Sequence, residues 1–258
     1  MSKIVLITGC APEHCFVANT LASAFPIDAI LIDAGAPVSR KKRIQKLRRH
    51  TPAQFVSRAL LKLWMRLLKD EEKRQADIVS VLGQESLGHR FETRTVPGIN
   101  SQHSIETLRN LAPDILLLYG VSIAGREVLR SAKVTLNLHT GIAPQYRGTN
   151  CAFWPIYNGE PERIGATVHL CTEHVDGGAI LAQERAPLKR EDNSIHKVFA
   201  RAVATGAALY PKAIEAFQHG YRGEPQDLSS GREYRAVMWG VGQEWLVRRR
   251  IQNGLQSA

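Results

Sequence analysis

Short, almost wholly apolar runs recur along the chain and are separated by stretches with helical spacing. Ile4–Ile7, Asp28–Asp33 and Pro113–Tyr119 are too continuously hydrophobic to have one wet face, and they predict interior strands of a parallel sheet. Between the first two, Phe16, Thr20/Leu21 and Ala24 recur at helical intervals and predict a helix over about His14–Phe25. Further strands are expected at Glu92–Val96, at Arg163–Cys171 and at Ala179–Gln183. Helices are expected at about Ser104–Leu111 with Ser104 as cap, at Gly125–Arg130, at Asn150–Tyr157 and at Ser194–Gln218, the last bent or split by Pro211. Strands alternating with helices predict a doubly wound α/β fold, with a mostly parallel sheet and helices on both faces.

One stretch departs from this rhythm. Thr51-Pro-Ala-Gln54 is a capping-box start with proline at the first helical position. Phe55, Ala59/Leu60, Leu63/Trp64 and Leu67/Leu68 then form an apolar stripe, opposite Arg58, Lys62, Arg66 and Lys69. The expectation is a surface helix packed by its apolar stripe. A polyanionic substrate and an anionic membrane are the competing uses of its basic face. The charge of the whole chain follows the same division. Of a net +10, residues 40–74 supply 13 Lys and Arg against 3 acids, while the remainder balances at 21 against 21. One basic segment on a neutral body predicts a local docking surface rather than general nucleic-acid binding. Residues 1–220 are expected to form one domain with a basic helical insertion at about 38–76, followed by a C-terminal extension over 221–258.

Composition narrows the function classes further. No apolar run approaches the ~20 residues that span a bilayer, and Lys3–Thr8 is too short for a signal-peptide core, so a cytoplasmic protein is expected. Cys10, Cys15, Cys151 and Cys171 form no CxxC pair, which predicts reduced thiols. The turn after the first strand, Gly9-Cys-Ala-Pro-Glu-His14, lacks G-x-G-x-x-G, and no Walker A sequence occurs, so NAD and ATP are poor fits.

The chemistry concentrates in two later stretches. A buried strand ends in Asn137 and His139, which share one face because strand positions two apart project together. A loop, Pro144-Gln-Tyr-Arg-Gly148, follows, and a second strand runs later into Asp176-Gly-Gly178. Asn137-x-His139, the Pro144–Gly148 loop and Asp176-Gly-Gly, in that order, resemble the folate-dependent formyltransferase family, over about Pro113–Gln183. The resemblance implies a formyltransferase-like variant of the Rossmann fold, with 10-formyltetrahydrofolate as formyl donor and no metal. It implies that Val121, Ser122, Ile123 and Ala124, with Cys171, Thr172, Glu173, His174 and Val175, contact the folate. Asn137, His139 and Asp176 are then the catalytic set. An amide donates to the formyl oxygen, an imidazole donates or shuttles a proton, and a carboxylate orients the imidazole or takes the amine's proton through water. His169 and His174 flank Cys171, but no strong zinc-ligand spacing or fourth partner accompanies them.

Tyr146, Arg147 and Gly148 are expected to bind the acceptor. Only 38 residues follow Gly220, too few for the C-terminal barrel of methionyl-tRNA formyltransferases. By elimination the chain looks most like the sugar-nucleotide N-formyltransferases of surface-polysaccharide pathways. The alternatives are other amines (methionyl-tRNA, glycinamide ribonucleotide, a hydroxyornithine-like hydroxylamine) and a non-catalytic relative that presents the basic helix to RNA or membrane. A homodimer and peripheral membrane contact through 40–74 are also expected; a nucleic-acid partner is not.

Overall fold

A computed structural model of the protein describes residues 2–35, 51–83, 86–88 and 91–255; the basic run 40–49 lies outside them. The apolar runs become three strands of a seven-stranded sheet. In chain order the sheet's strands are β1 (Ile4–Thr8), β2 (Ala29–Asp33), β3 (Thr93–Val96), β4 (Ile115–Tyr119), β5 (Val134–His139), β7 (Gly165–Leu170) and β8 (Ile180–Arg185). Their order is β3-β2-β1-β4-β5-β7-β8. All are parallel through β5, and β7 then pairs antiparallel with both β5 and β8. Alternate residues of each central strand serve opposite faces, as the strand period requires.

Ile4, Leu6, Ile30, Leu117, Leu136 and Leu138 pack in one cluster with α1 (Pro12–Ala24), α3 (Asp70–Leu82) and α7 (Ile195–Gln218). Val5, Ile7, Leu31, Leu116 and Leu118 pack on the other face with α4 (Gln102–Leu111) and α5 (Arg126–Leu129). The fold is doubly wound. Pro211 lies inside α7 without ending it. The adjoining Tyr210 is fully buried, and its hydroxyl accepts from Leu118 N at 3.0 Å and lies 2.9 Å from Leu136 O. One side chain thus ties α7 to β4 and β5 immediately before Asn137.

Three expectations change. The cap of α4 is Ser101, whose side chain accepts from Ser104 N; Ser104 is buried and donates to Gly98 O instead. Residues 70–82 form a second helix of the 51–82 stretch, and Ile78 and Leu82 belong to the main core, so a boundary at 76 cuts a core helix. Finally, α2 (Pro52–Leu67) has the expected Thr51/Gln54 capping box but docks by an edge that takes in Trp64 and leaves most of the expected stripe outside. Ser57 Oγ accepts from Val241 N, Trp64 lies against Arg248, and Leu61 joins a core cluster. The stripe residues Phe55, Leu60, Leu63 and Leu67 stay half or more exposed. The pattern was amphipathic, but the C-terminal helix offers a narrower contact than a full apolar stripe needs.

The extension builds a second core. Two short strands, β6 (Tyr146–Gly148) and β9 (Arg232–Tyr234), pair in parallel. Tyr234, Trp239, Val247 and Ile251 pack with Tyr146, Trp154 and Ile156, the last two on α6 (Trp154–Asn158). Val247 and Ile251 lie on α8 (Val241–Gln252), whose Arg248 bridges two buried acids, Asp70 Oδ1 and Glu244 Oε1, each at 2.7 Å.

Candidate active site

Strand register brings the polar residues together at the carboxyl end of β5. Asn137 pairs with His169 across the antiparallel β5–β7 ladder, and His139 pairs with Thr167. Directly opposite residues share a face, so Asn137 and His169 project side by side. The chain leaves β7, turns at Cys171–Val175 and returns with Asp176, which has φ +47. Few L-residues adopt that left-handed conformation, and aspartate is among those that tolerate it best. Gly178 is required here too: a Cβ would lie 1.8 Å from Leu170 O.

The Asp176 carboxylate is the hub. Oδ1 lies 3.3 Å from His169 Nε2 and accepts from Asn137 Nδ2 at 3.3 Å; Oδ2 accepts from Gly148 N at 2.8 Å and lies 3.3 Å from His139 Nδ1. Burial by itself would raise the Asp176 pKa. No single partner outweighs it, but the His139 charge, the His169 hydrogen bond and charge and the Gly148 N–H together do, and they hold the carboxyl well below the usual carboxylate range. Asp176 is therefore an anion at neutral pH, suited to orienting and charge-stabilising imidazoles rather than to accepting the amine's proton.

His139 is 7% exposed, and its Nε2 lies 2.8 Å from Tyr146 O. A neutral ring donates to only one of Asp176 and Tyr146 O, whereas an imidazolium donates to both. The loop from 140 to 148 is fixed from below. Thr167 Oγ1 donates to Gly141 O at 2.7 Å, Gln183 Nε2 donates to Ala143 O at 2.7 Å, and the Ala143–Pro144 peptide is cis. Gly141 sits so close to the ring that a Cβ there would lie 2.5 Å from His139 Nε2.

Asn137, His139 and Asp176 thus converge within hydrogen-bonding reach. The Tyr146–Gly148 loop also reaches the site, with its side chains turned to the protein. Tyr146 stacks on Tyr234 with its hydroxyl 2.5 Å from Glu160 Oε2. The Arg147 guanidinium is spent on Pro144 O, Val175 O and Leu228 O at 3.3–3.4 Å, and Gly148 contributes its N–H to Asp176. Gln226 Nε2 donates to Asp176 O at 3.0 Å and Gly178 O at 2.5 Å, so the extension clamps the turn that carries the carboxylate.

The two segments expected to meet the folate border the same side of the sheet. Val121, Ala124 and Cys171 pack partly buried against its core, and burial with the Asp176 charge pushes the Cys171 thiol up to about 12. Residues 121–124 lie outside every helix and strand, and Ile123 is 71% exposed. Arg126 Nε lies 2.8 Å from Glu173 Oε1, which ties the segments together, while Thr172, Glu173 and His174 are exposed.

The profile described as formyl transferase matches residues 38–214. The chain belongs to this family. Among its relatives, GDP-perosamine N-formyltransferase of Brucella melitensis is 32% identical over 163 residues, covering 59% of this chain and 61% of that protein. Phosphoribosylglycinamide formyltransferase of Haemophilus influenzae is 37% identical over 115 residues, covering 44% and 53%. The chain therefore spans less than two thirds of the curated relatives it matches. A solved sugar N-formyltransferase from Shewanella sp. FDAARGOS_354 superimposes with TM-score 0.58 at 16% identity, covering 97% of this chain and 88% of that one, which supports a shared fold.

Sequence reasoning missed three contributors to the site. His169 reads in sequence only as a zinc ligand without a partner set, because the β5–β7 register that puts it beside Asn137 is not written locally. Gln226 and Tyr210 act from distant segments and carried no local signal.

Proposed function

We propose that this formyl transferase moves the formyl group of 10-formyltetrahydrofolate onto the amine of a nucleotide-linked amino sugar. The observation that carries the reading is the Asp176 carboxylate, held by Asn137, His139, His169 and Gly148 N at the carboxyl end of the sheet. The likeness to a GDP-perosamine N-formyltransferase supports the sugar amine as acceptor.

Residues 121–124 and 171–175 fit a flat, largely apolar ring edged with polar groups. They combine peptide groups outside the sheet with the apolar Val121, Ile123, Ala124, Cys171 and Val175, and with Ser122, Thr172, Glu173 and His174 at the rim. When bound there, 10-formyltetrahydrofolate supplies an activated one-carbon unit. Asn137 Nδ2 and His139 Nε2 donate to the formyl oxygen as negative charge develops on it, each exchanging a protein partner for the substrate. A preorganised donor of this kind is worth about 3–4 kcal/mol. Asp176 holds His139 in orientation and stabilises its positive charge, and His169 and Asn137 fix the carboxylate in turn. The amine attacks the formyl carbon and gives up a proton to solvent; the bond from that carbon to the folate nitrogen then breaks, and the nitrogen takes a proton as tetrahydrofolate leaves. The rest of the rate comes from holding two substrates together.

The test is a comparison of amines at fixed 10-formyltetrahydrofolate, following loss of the formyl group from the folate by absorbance. A GDP-linked 4-amino sugar should be formylated and glycinamide ribonucleotide should not. Formylation of glycinamide ribonucleotide with no turnover of any nucleotide-linked amino sugar would replace the acceptor.

A further inference from the structure

Helix α2 carries an apolar stripe that the protein leaves uncovered. Val56, Leu60, Leu63 and Leu67 follow at intervals of four, three and four residues, so they lie along one side. Their exposures are 54, 50, 55 and 74%, and Phe55 beside them is 53% exposed. The helix docks by its other edge, through Ser57, Leu61 and Trp64, and none of its residues is buried. Large side chains held this far out of the core normally mark an interaction site.

The charge around the stripe selects the occupant. Residues 51–69 contain Arg58, Lys62, Arg66 and Lys69 and no Asp or Glu. Among the described residues neither Lys62 nor Arg66 is paired with an acid. A second copy of this chain docked stripe to stripe would bring together two such segments that carry four cations each and no acid, whose net charges repel. A nucleic acid would meet the cations but leave the leucines in water. An apolar stripe with a purely cationic flank matches a helix lying in the plane of an anionic lipid surface, leucines in the acyl boundary and cations at the headgroups. No helix among the described residues is long and apolar enough to cross a membrane.

We infer that α2 docks the protein reversibly on anionic lipid surfaces. This goes beyond the formyl-transfer reading and stands or falls separately from it. The test is co-sedimentation of the full chain with vesicles of phosphatidylcholine alone or with about 30% phosphatidylglycerol, at low and physiological salt. Binding to the anionic vesicles only, weakened by salt, is expected. Leu63→Ser/Leu67→Ser should lower the partition coefficient by roughly tenfold or more, since two side chains leave the acyl boundary. Lys62→Glu/Arg66→Glu should lower it comparably. Unchanged thermal melting of both variants establishes that they fold.

Four results would overturn the inference. One is no sedimentation with anionic vesicles at low salt, and another is binding that the Leu63/Leu67 variant retains. The third is a dimer in light scattering that this variant disperses while vesicles capture nothing, which would assign the stripe to a second copy. RNA binding that the serine variant leaves intact, without vesicle binding, would likewise move the surface to a polyanion.

Discussion

Replacing Gly141 with alanine tests how tightly the loop after β5 fixes His139. An alanine Cβ would lie 2.5 Å from His139 Nε2, 2.6 Å from Cys151 Cβ and 2.8 Å from Tyr146 O. Gly141 has no left-handed φ, so the effect is steric and not one of backbone strain. Tyr146 O belongs to a strand paired with β9, and Cys151 is 2% exposed, so neither can retreat easily. The imidazole must move instead, by about 0.5–1 Å, stretching its 2.8 Å contact to Tyr146 O and changing its 3.3 Å approach to Asp176. Misplacing a catalytic group by about 1 Å costs on the order of 10²-fold in rate, and overpacking a tight site costs about 1–3 kcal/mol of stability.

The expected outcome for Gly141→Ala is a fall of about 10²-fold in kcat/KM for formyl transfer, with a modest drop in Tm. The double variant Gly141→Ala/Cys151→Gly relieves one contact but leaves the ring contact in place. It should recover part of the Tm and little of the activity. Gly141→Ala activity within twofold of the parent, with an unchanged Tm, would refute the view that this loop sets the position of His139.

Asp176→Asn keeps shape and suits the left-handed backbone, so it should fold yet lose about 10²–10⁴-fold in rate, whereas Asp176→Ala should add about 1–2 kcal/mol of destabilisation from the φ of +47. Because the folded Asp176 pKa is depressed, its stabilisation is complete above the unfolded value of about 3.9 and is lost as pH falls through the folded value. A melting series should therefore show the parent's advantage over Asp176→Asn shrinking below about pH 4; a constant gap would contradict the assignment. Arg248→Ala leaves Asp70 and Glu244, both 4% exposed, without their shared cation, and should cost about 3–5 kcal/mol by denaturant titration.

The centre of the sheet was legible because β1, β2 and β4 are nearly continuous apolar runs, and the capping box of α2 because both of its halves are local. The direction in which α2 faces was not legible. Its sequence carries an apolar stripe and a narrower Ser57/Leu61/Trp64 edge, and only the position of α8 decides between them. Likewise the sequence exposed Asn137, His139 and Asp176 through a resemblance in order and spacing. The commitment of Arg147 to three backbone carbonyls depends on Val175 and Leu228, 28 and 81 residues away, so nothing near Arg147 distinguished a phosphate-binding guanidinium from a tether. His169 entered the site through an antiparallel register that a one-residue slip would have reversed.

The most direct measurement is the single-turnover rate of formyl transfer from 10-formyltetrahydrofolate to a GDP-linked 4-amino sugar by His139→Ala, with folding verified by melting. A loss of about 10²–10⁴-fold relative to the parent is predicted. A rate equal to the parent's would contradict the assignment of His139 to the reaction.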